Sequence, residues 1–244
     1  MSSPAALVVV AGALFVGSML NSLLGFGFAL TTVPLMALAV GPKEAVVLSA
    51  VLGLLSNSGV AIRHRDDVVG PLLGRLMVGS LMGMPLGLAL LVVMPERWIG
   101  VGIGVTVLVA IVLIAGGVEV ESVPRWADVV AGVGTGVLNT SVGVSGPPVV
   151  TAMHGHRLAK APFRATAAAV FGLGGVVAIV LFAVTGQITG SILATAAATV
   201  WAWPVGWWVG ARLHRSVSED RFRSLALVLL AVTAIVSLFG ALLS

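Results

Sequence analysis

Two short stretches hold most of the side chains able to grip a ligand. The first is Leu20-Asn21-Ser22, with Gly25 and Gly27 behind it; the second is Leu138-Asn139-Thr140-Ser141, with Gly143 and Ser145 behind it. Each sets amide and hydroxyl donors just before a glycine-rich break, and Gly has the backbone freedom a sharp break needs. Pro147 and Pro148 suit the first turn of a restarting helix, where a missing N–H costs nothing. Thr31, Thr32 and Thr151 follow on the short segments beyond. The start of a half-helix presents unpaired N–H groups and partial positive charge, which suits an anion. Asn, Ser and Thr add matching donors. The competing reading is that these polar residues only bond across membrane helices as packing contacts. Asn21 and Asn139 are the exception, because they stand at the same break in two matching stretches.

The charged residues exclude several chemistries. All nine Asp and Glu fall in loops or at helix ends, which speaks against a carboxylate proton relay or a buried cation site. Arg75 is the deepest basic residue, about two turns into an apolar run. It either draws an anion into a pathway or snorkels to the surface, and snorkelling is the preferred reading. Arg164 reads the same way, nearer an end. His154 and His156 flank Gly155 beside Arg157; with no further ligand nearby they read as a solvated loop rather than a metal site. The chain has no Cys, so thiol chemistry and disulfides are excluded. Gly143-Val144-Ser145-Gly146 also fits the Gly-x-Ser-Gly motif of rhomboid intramembrane proteases. A nucleophilic Ser needs a His within hydrogen-bond reach, whereas His64, His154, His156 and His214 all fall in loops or at helix ends. No catalytic residue, metal or cofactor is therefore expected. A non-catalytic membrane scaffold would leave two glycine-broken elements in equivalent places unexplained.

The elements that position these residues follow from composition. The 244 residues are 59% hydrophobic and only 9% charged, against roughly a quarter charged in soluble domains. Lipid must be the solvent. The net charge of +4 is spread between apolar runs, which signals membrane orientation and not nucleic-acid binding. Residues 1–20 lack Lys and Arg, so they read as a first membrane helix rather than a signal peptide. Runs near the roughly 20 residues a spanning helix needs are 5–24, 44–62, 69–93, 97–117, 126–143, 161–185, 189–211 and 221–243. The stretches 28–40 and 147–154 are short, and each is read as the return arm of a hairpin or re-entrant element. Trp201 and Trp203, in the middle of 189–211, are read as bundle filling.

The halves resemble one another. Leu20-Asn21-Ser22 with Gly25 matches Leu138-Asn139-Thr140 with Gly143; Met84-Pro85-Leu86-Gly87 matches Trp203-Pro204-Val205-Gly206; Glu96-Arg97-Trp98 matches Glu219-Asp220-Arg221-Phe222 with one insertion. The expected architecture is an all-α polytopic bundle of two repeats, 1–118 and 126–244, joined by a cytoplasmic linker at 119–125 into one membrane domain. Each repeat is a hairpin plus three spanning helices, so the second enters upside down. Basic residues flip sides accordingly: Arg63 and Arg65 face an uncharged equivalent loop, and Lys43 faces Arg157 and Lys160. Placing basic loops inside puts both termini outside the cytoplasm. The two breaks are expected to meet near the membrane middle, with Asn21 close to Asn139.

The stretch from Leu24-Gly25-Phe26-Gly27-Phe28 to Val33-Pro34-Leu35, the loop Gly41-Pro42-Lys43-Glu44-Ala45 and the degenerate second copy at 138–153 resemble the TauE/SafE sulfite exporter family. The resemblance covers essentially the whole chain. It implies a multi-pass plasma-membrane transporter of small sulfur-containing anions such as sulfite, sulfoacetate or other organosulfonates, with another small organic anion as the alternative. The partners it implies are that substrate and the lipid bilayer, with a homo-oligomer left open. Where the first copy has Gly-Phe-Ala-Leu the second has Ser-Gly-Pro-Pro, so the two hairpins do not bind alike. The residues expected at the substrate are Asn21, Ser22, Gly25, Gly27, Thr32, Asn139, Thr140, Ser141, Gly143 and Ser145, with Arg75 at its approach.

Overall fold

In a medium without water every backbone N–H and C=O must be bonded internally, and long apolar runs satisfy this as helices. The computed structural model describes residues 3–24, 27–116 and 124–213, and every regular element among them is helical. Gly25, most of the linker and the expected span 221–243 lie outside the described residues, as do Ser2 and Ser244. The helices are α1 (Pro4–Leu24), α2 (Phe28–Val40), α3 (Pro42–Arg63), α4 (Gly70–Val93), α5 (Glu96–Gly116), α6 (Arg125–Ser141), α7 (Gly146–Gly155), α8 (Lys160–Val184), α9 (Gly190–Thr199) and α10 (Ala202–Leu213). A 3₁₀ turn, Arg65–Asp67, follows α3.

Five of these, α1, α3, α4, α5 and α8, are long and apolar enough to cross a membrane, and the bent pair α9 and α10 would make a sixth. The chain is thus a polytopic membrane bundle. The short arms α2 and α7 have 13 and 10 residues. At 1.5 Å per residue they reach about 20 and 15 Å, well short of a roughly 30 Å hydrocarbon core. Two expected spans differ in the structure. The run 126–143 forms a helix of 17 residues that stops at Ser141, because Gly143 takes a left-handed φ of 72°. The run 189–211 is not one helix: α9 and α10 meet at a bend of 43°. Pro204 accounts for this bend, since it donates no N–H and its ring crowds the carbonyl of Val200 four residues back.

Glycines hold the bundle together where helices touch backbone to backbone. On α4, a Cβ at Gly79, Gly83 or Gly87 would run into the carbonyls of Val129, Val133 and Val137 of α6. The facing Gly132 and Gly136 of α6 are equally closed off by the carbonyls of Leu76 and Ser80. This is small-xxx-small packing, which membrane helices use because lipid gives them little hydrophobic drive to associate. Gly206 and Gly210 of α10 play the same part against the Phe15 and Met19 carbonyls of α1. The largest apolar cluster joins α1, α2, α3 and α5 through Leu14, Met36, Leu48, Leu52 and Ile103, and reaches Phe182 of α8. A second cluster sets α7 and α8 against α4 through Val149, Met153, Val170, Leu72 and Leu76.

Candidate anion site between the two breaks

The breaks between α1 and α2 and between α6 and α7 open onto one cavity of about 50 Å³, room for a few waters at roughly 10–15 Å³ each. The first break contributes Gly27, Phe28, Ala29 and Leu30; the second contributes Gly143, Val144, Ser145 and Gly146, with Asn139 one turn behind. A wall from α3 presents Ser49, Gly53 and Asn57. Spaced four residues apart, they share one helical face. The opposite wall, from α8, is Phe171 and Gly175. Gly27 has φ 100°, in the left-handed region that only Gly enters without strain. Gly143 shares that region, and a Cβ there would press to 3.2 Å from both Ser49 Oγ and Val33 Cγ2.

Both short helices begin at this cavity. On α2 the first intrahelical bond is from Thr31 N–H to the Gly27 carbonyl, at 3.3 Å. The N–H groups of Phe28, Ala29 and Leu30 precede it and are left over, as at any helix start. Ser145 caps the start of α7 without a side-chain cap bond, and Pro147 and Pro148 leave the donors to Ser145 and Gly146. Two partial positive ends therefore face one space. Among the described residues, no Asp, Glu, Lys or Arg lines it. The side-chain donors are the Asn57 amide and the Ser145 hydroxyl, which have no hydrogen-bond partner among the described residues, and the Asn139 amide. Asn139 Nδ2 gives one hydrogen to the Gly174 carbonyl at 3.3 Å and keeps a second. The set offers donors to an acceptor ligand, with no carboxylate among the described lining residues to repel an anion.

The expected site residues separate into two groups. Gly27, Asn139, Gly143 and Ser145 line the cavity. The others do not. Asn21 is fully buried and its Nδ2 bonds Ser56 Oγ at 2.8 Å, so it faces α3. Ser22 packs against α10 beside Gly210, and its carbonyl accepts from Arg164. The hydroxyls of Thr32, Thr140 and Ser141 are each spent on a backbone carbonyl, those of Phe28, Met84 and Val137 at 2.9, 2.7 and 2.6 Å. Gly25 is outside the described residues. Arg75 neither lines the cavity nor snorkels freely: its Nε bonds Asp128 Oδ2 at 2.7 Å. Asp128 is at a helix end as expected, yet it has no exposed surface. His156, expected in a solvated loop, reaches the other carboxylate oxygen with Nε2 at 2.8 Å. The first turn of α6 packs against α4 and the end of α7, and that burial is what draws both partners onto the carboxylate.

Sequence reasoning missed Asn57. The signal was present: Ser56-Asn57-Ser58 is a run of three polar residues inside the apolar stretch 44–62, where each unpaired polar group carries a cost. As for a serine-protease arrangement, none of the described histidines lines the cavity with Ser145, and His214 lies outside the described residues.

The model of the sulfite exporter TauE/SafE family matches residues 9–237. The chain belongs to this family. Membership implies a membrane transporter of sulfite or related anions, in keeping with the multi-pass bundle and with partners that are a small anion and membrane lipid. No curated protein matches this TauE/SafE chain, and no solved structure does.

Proposed function

We propose that this TauE/SafE protein exports sulfite or a small organosulfonate such as sulfoacetate across the plasma membrane, and that the anion binds where α2 and α7 begin. The observation that carries this reading is the convergence of two helix starts without side-chain caps on one cavity that has no carboxylate among its described lining residues. Sulfite and sulfonate both present oxygens that accept hydrogen bonds, so the N–H groups with Asn57, Asn139 and Ser145 form a matching donor set. Backbone and hydroxyl donors hold an anion firmly enough to select it and weakly enough to release it. The test is uptake of labelled sulfite and sulfoacetate into proteoliposomes. Wild-type protein should transport at least one of them above empty vesicles. Asn139→Ala should raise the half-saturating concentration about fivefold with folding kept, since one hydrogen bond contributes about a kcal/mol. Unchanged saturation in that variant would remove Asn139 from the binding site.

The same reading takes the two halves as inverted repeats. Two features support the repeat. The bonds from Asn21 to Ser56 and from Asn139 to Gly174 each span 35 residues. The glycine contacts of α4 on α6 recur as α10 on α1. Inversion rests on the flipped loop charges. Reporter fusions at Ser2 and Ser244 should both be labelled from outside the cell; cytoplasmic labelling of either would rule the inverted arrangement out.

A further inference from the structure

The buried Asp128 is paired with the half-buried Arg75 and His156, a cluster that the anion cradle does not use. It has a position of consequence. His156 directly follows α7, the ten-residue helix whose other end, Ser145 and Gly146, forms part of the cavity wall. Such a helix is about 15 Å long, and its internal hydrogen bonds tie one end to the other. Asp128 has no exposed surface, while the side chains of Arg75 and His156 are 27% and 25% exposed. Water thus reaches the histidine from one side, and the carboxylate holds it from the other.

We propose that His156 is a proton-binding site and that its charge, acting on Asp128, sets how firmly α7 presents its first turn to the anion. The inference deepens the transport reading and rests on it for the identity of the ligand. Nε2 faces an acceptor-only carboxylate oxygen and so carries a hydrogen. A proton from water is then taken up at Nδ1, and the ring becomes a cation. The ionised carboxylate already assists the bond from the neutral ring, and protonation adds the attraction of opposite charges at close range. A cation at the end of α7 is also favoured by that helix's dipole. Protonation therefore clamps α7 against α6, and deprotonation loosens it. By linkage, a bound anion that favours the clamped helix favours proton uptake equally.

The other charged groups on the elements around α7 are accounted for. His154 Nδ1 meets the Val150 carbonyl at 2.9 Å and its ring packs on Phe163. Arg125, Arg157 and Lys160 are exposed. Arg75 is the one charge on α4, and Arg164 of α8 points to the Ser22 carbonyl. On α5, Glu96 and Arg97 sit at its start, Glu96 beside Gly41.

The chain has no cysteine, so Ser145→Cys places a single reporter at the start of α7. Its rate of modification by an anionic methanethiosulfonate would be followed from about pH 5.5 to 8.5, across the range where histidine titrates. The same reporter combined with His156→Gln, which keeps a donor to Asp128 but cannot titrate, corrects for the thiol's own ionisation. His156→Asn serves if that protein does not fold. The ratio of the two rates should rise about threefold or more from low to high pH, as α7 loosens. Sulfoacetate uptake should saturate at lower concentration at low pH in the otherwise unaltered protein, and the amide variants should lose that dependence. A ratio constant with pH overturns the proposal, as does an unchanged pH profile of uptake in the variants. A pH-dependent ratio with no sulfonate or sulfite uptake at any pH would retain the proton site and overturn the transport reading.

Discussion

Replacing Asn57 with Asp should abolish uptake of sulfite or sulfonate near neutral pH, whereas Asn57→Ala should only weaken it. The two variants differ in one respect that matters. Asp has the shape of Asn but puts a negative charge on a cavity wall that has no Lys or Arg among its described residues to offset it. Two unit charges about 4 Å apart at an effective dielectric near 20 repel by about 4 kcal/mol, and every 1.4 kcal/mol is tenfold in affinity. A loss on the order of a thousandfold follows. Asn57→Ala removes one donor worth about a kcal/mol and should cost about fivefold. Acidification that protonates the introduced carboxyl should restore part of the uptake, because the charge and not the shape is at fault. The measurement is saturation of proteoliposome uptake by both variants. Equal behaviour of Asp and Ala at this position would show that the anion does not pass the α3 wall.

The largest loss of stability should come from Gly83→Val. A Cβ there meets the Val133 carbonyl and lies 3.0 Å from the Val137 nitrogen, both of them backbone, so no rotamer change can make room. Overpacking costs about 1–3 kcal/mol where side chains can yield, and here α4 and α6 must separate along their shared line of glycines. The variant should fail to give monodisperse protein in detergent, or should unfold at a markedly lower temperature. Gly74→Ala on the same helix is the control. Nothing lies within 4 Å of its Cβ, and Ala is the better helix former by up to about 1 kcal/mol. Its midpoint should be unchanged or slightly raised. Wild-type thermal stability in Gly83→Val would mean that α4 and α6 do not pack through this face.

What the sequence determined by itself was the solvent, most of the described helices and the breaks. With 9% charged residues, only lipid can surround the chain, and the apolar run 28–40 coincides with α2. Gly27 and Gly143 were legible because a left-handed turn narrows the choice to Gly, whatever packs around it. Membership of the TauE/SafE family was legible for the same reason, since its motifs are local. Which of the polar residues face the cavity was decided only in three dimensions. A membrane Thr or Ser can satisfy its hydroxyl on its own helix, as Thr32 and Ser141 do, or across to a neighbour, as Thr140 does with Met84. The residue type does not choose between those bonds and a ligand. Asn21 and Asn139 stand at matching breaks, yet Ser56 faces the first, and only a backbone carbonyl faces the second. Arg75, read alone, is a charge in search of water; Asp128 and His156 lie 53 and 81 positions further along the chain, and only the packing of α4, α6 and α7 brings the three together.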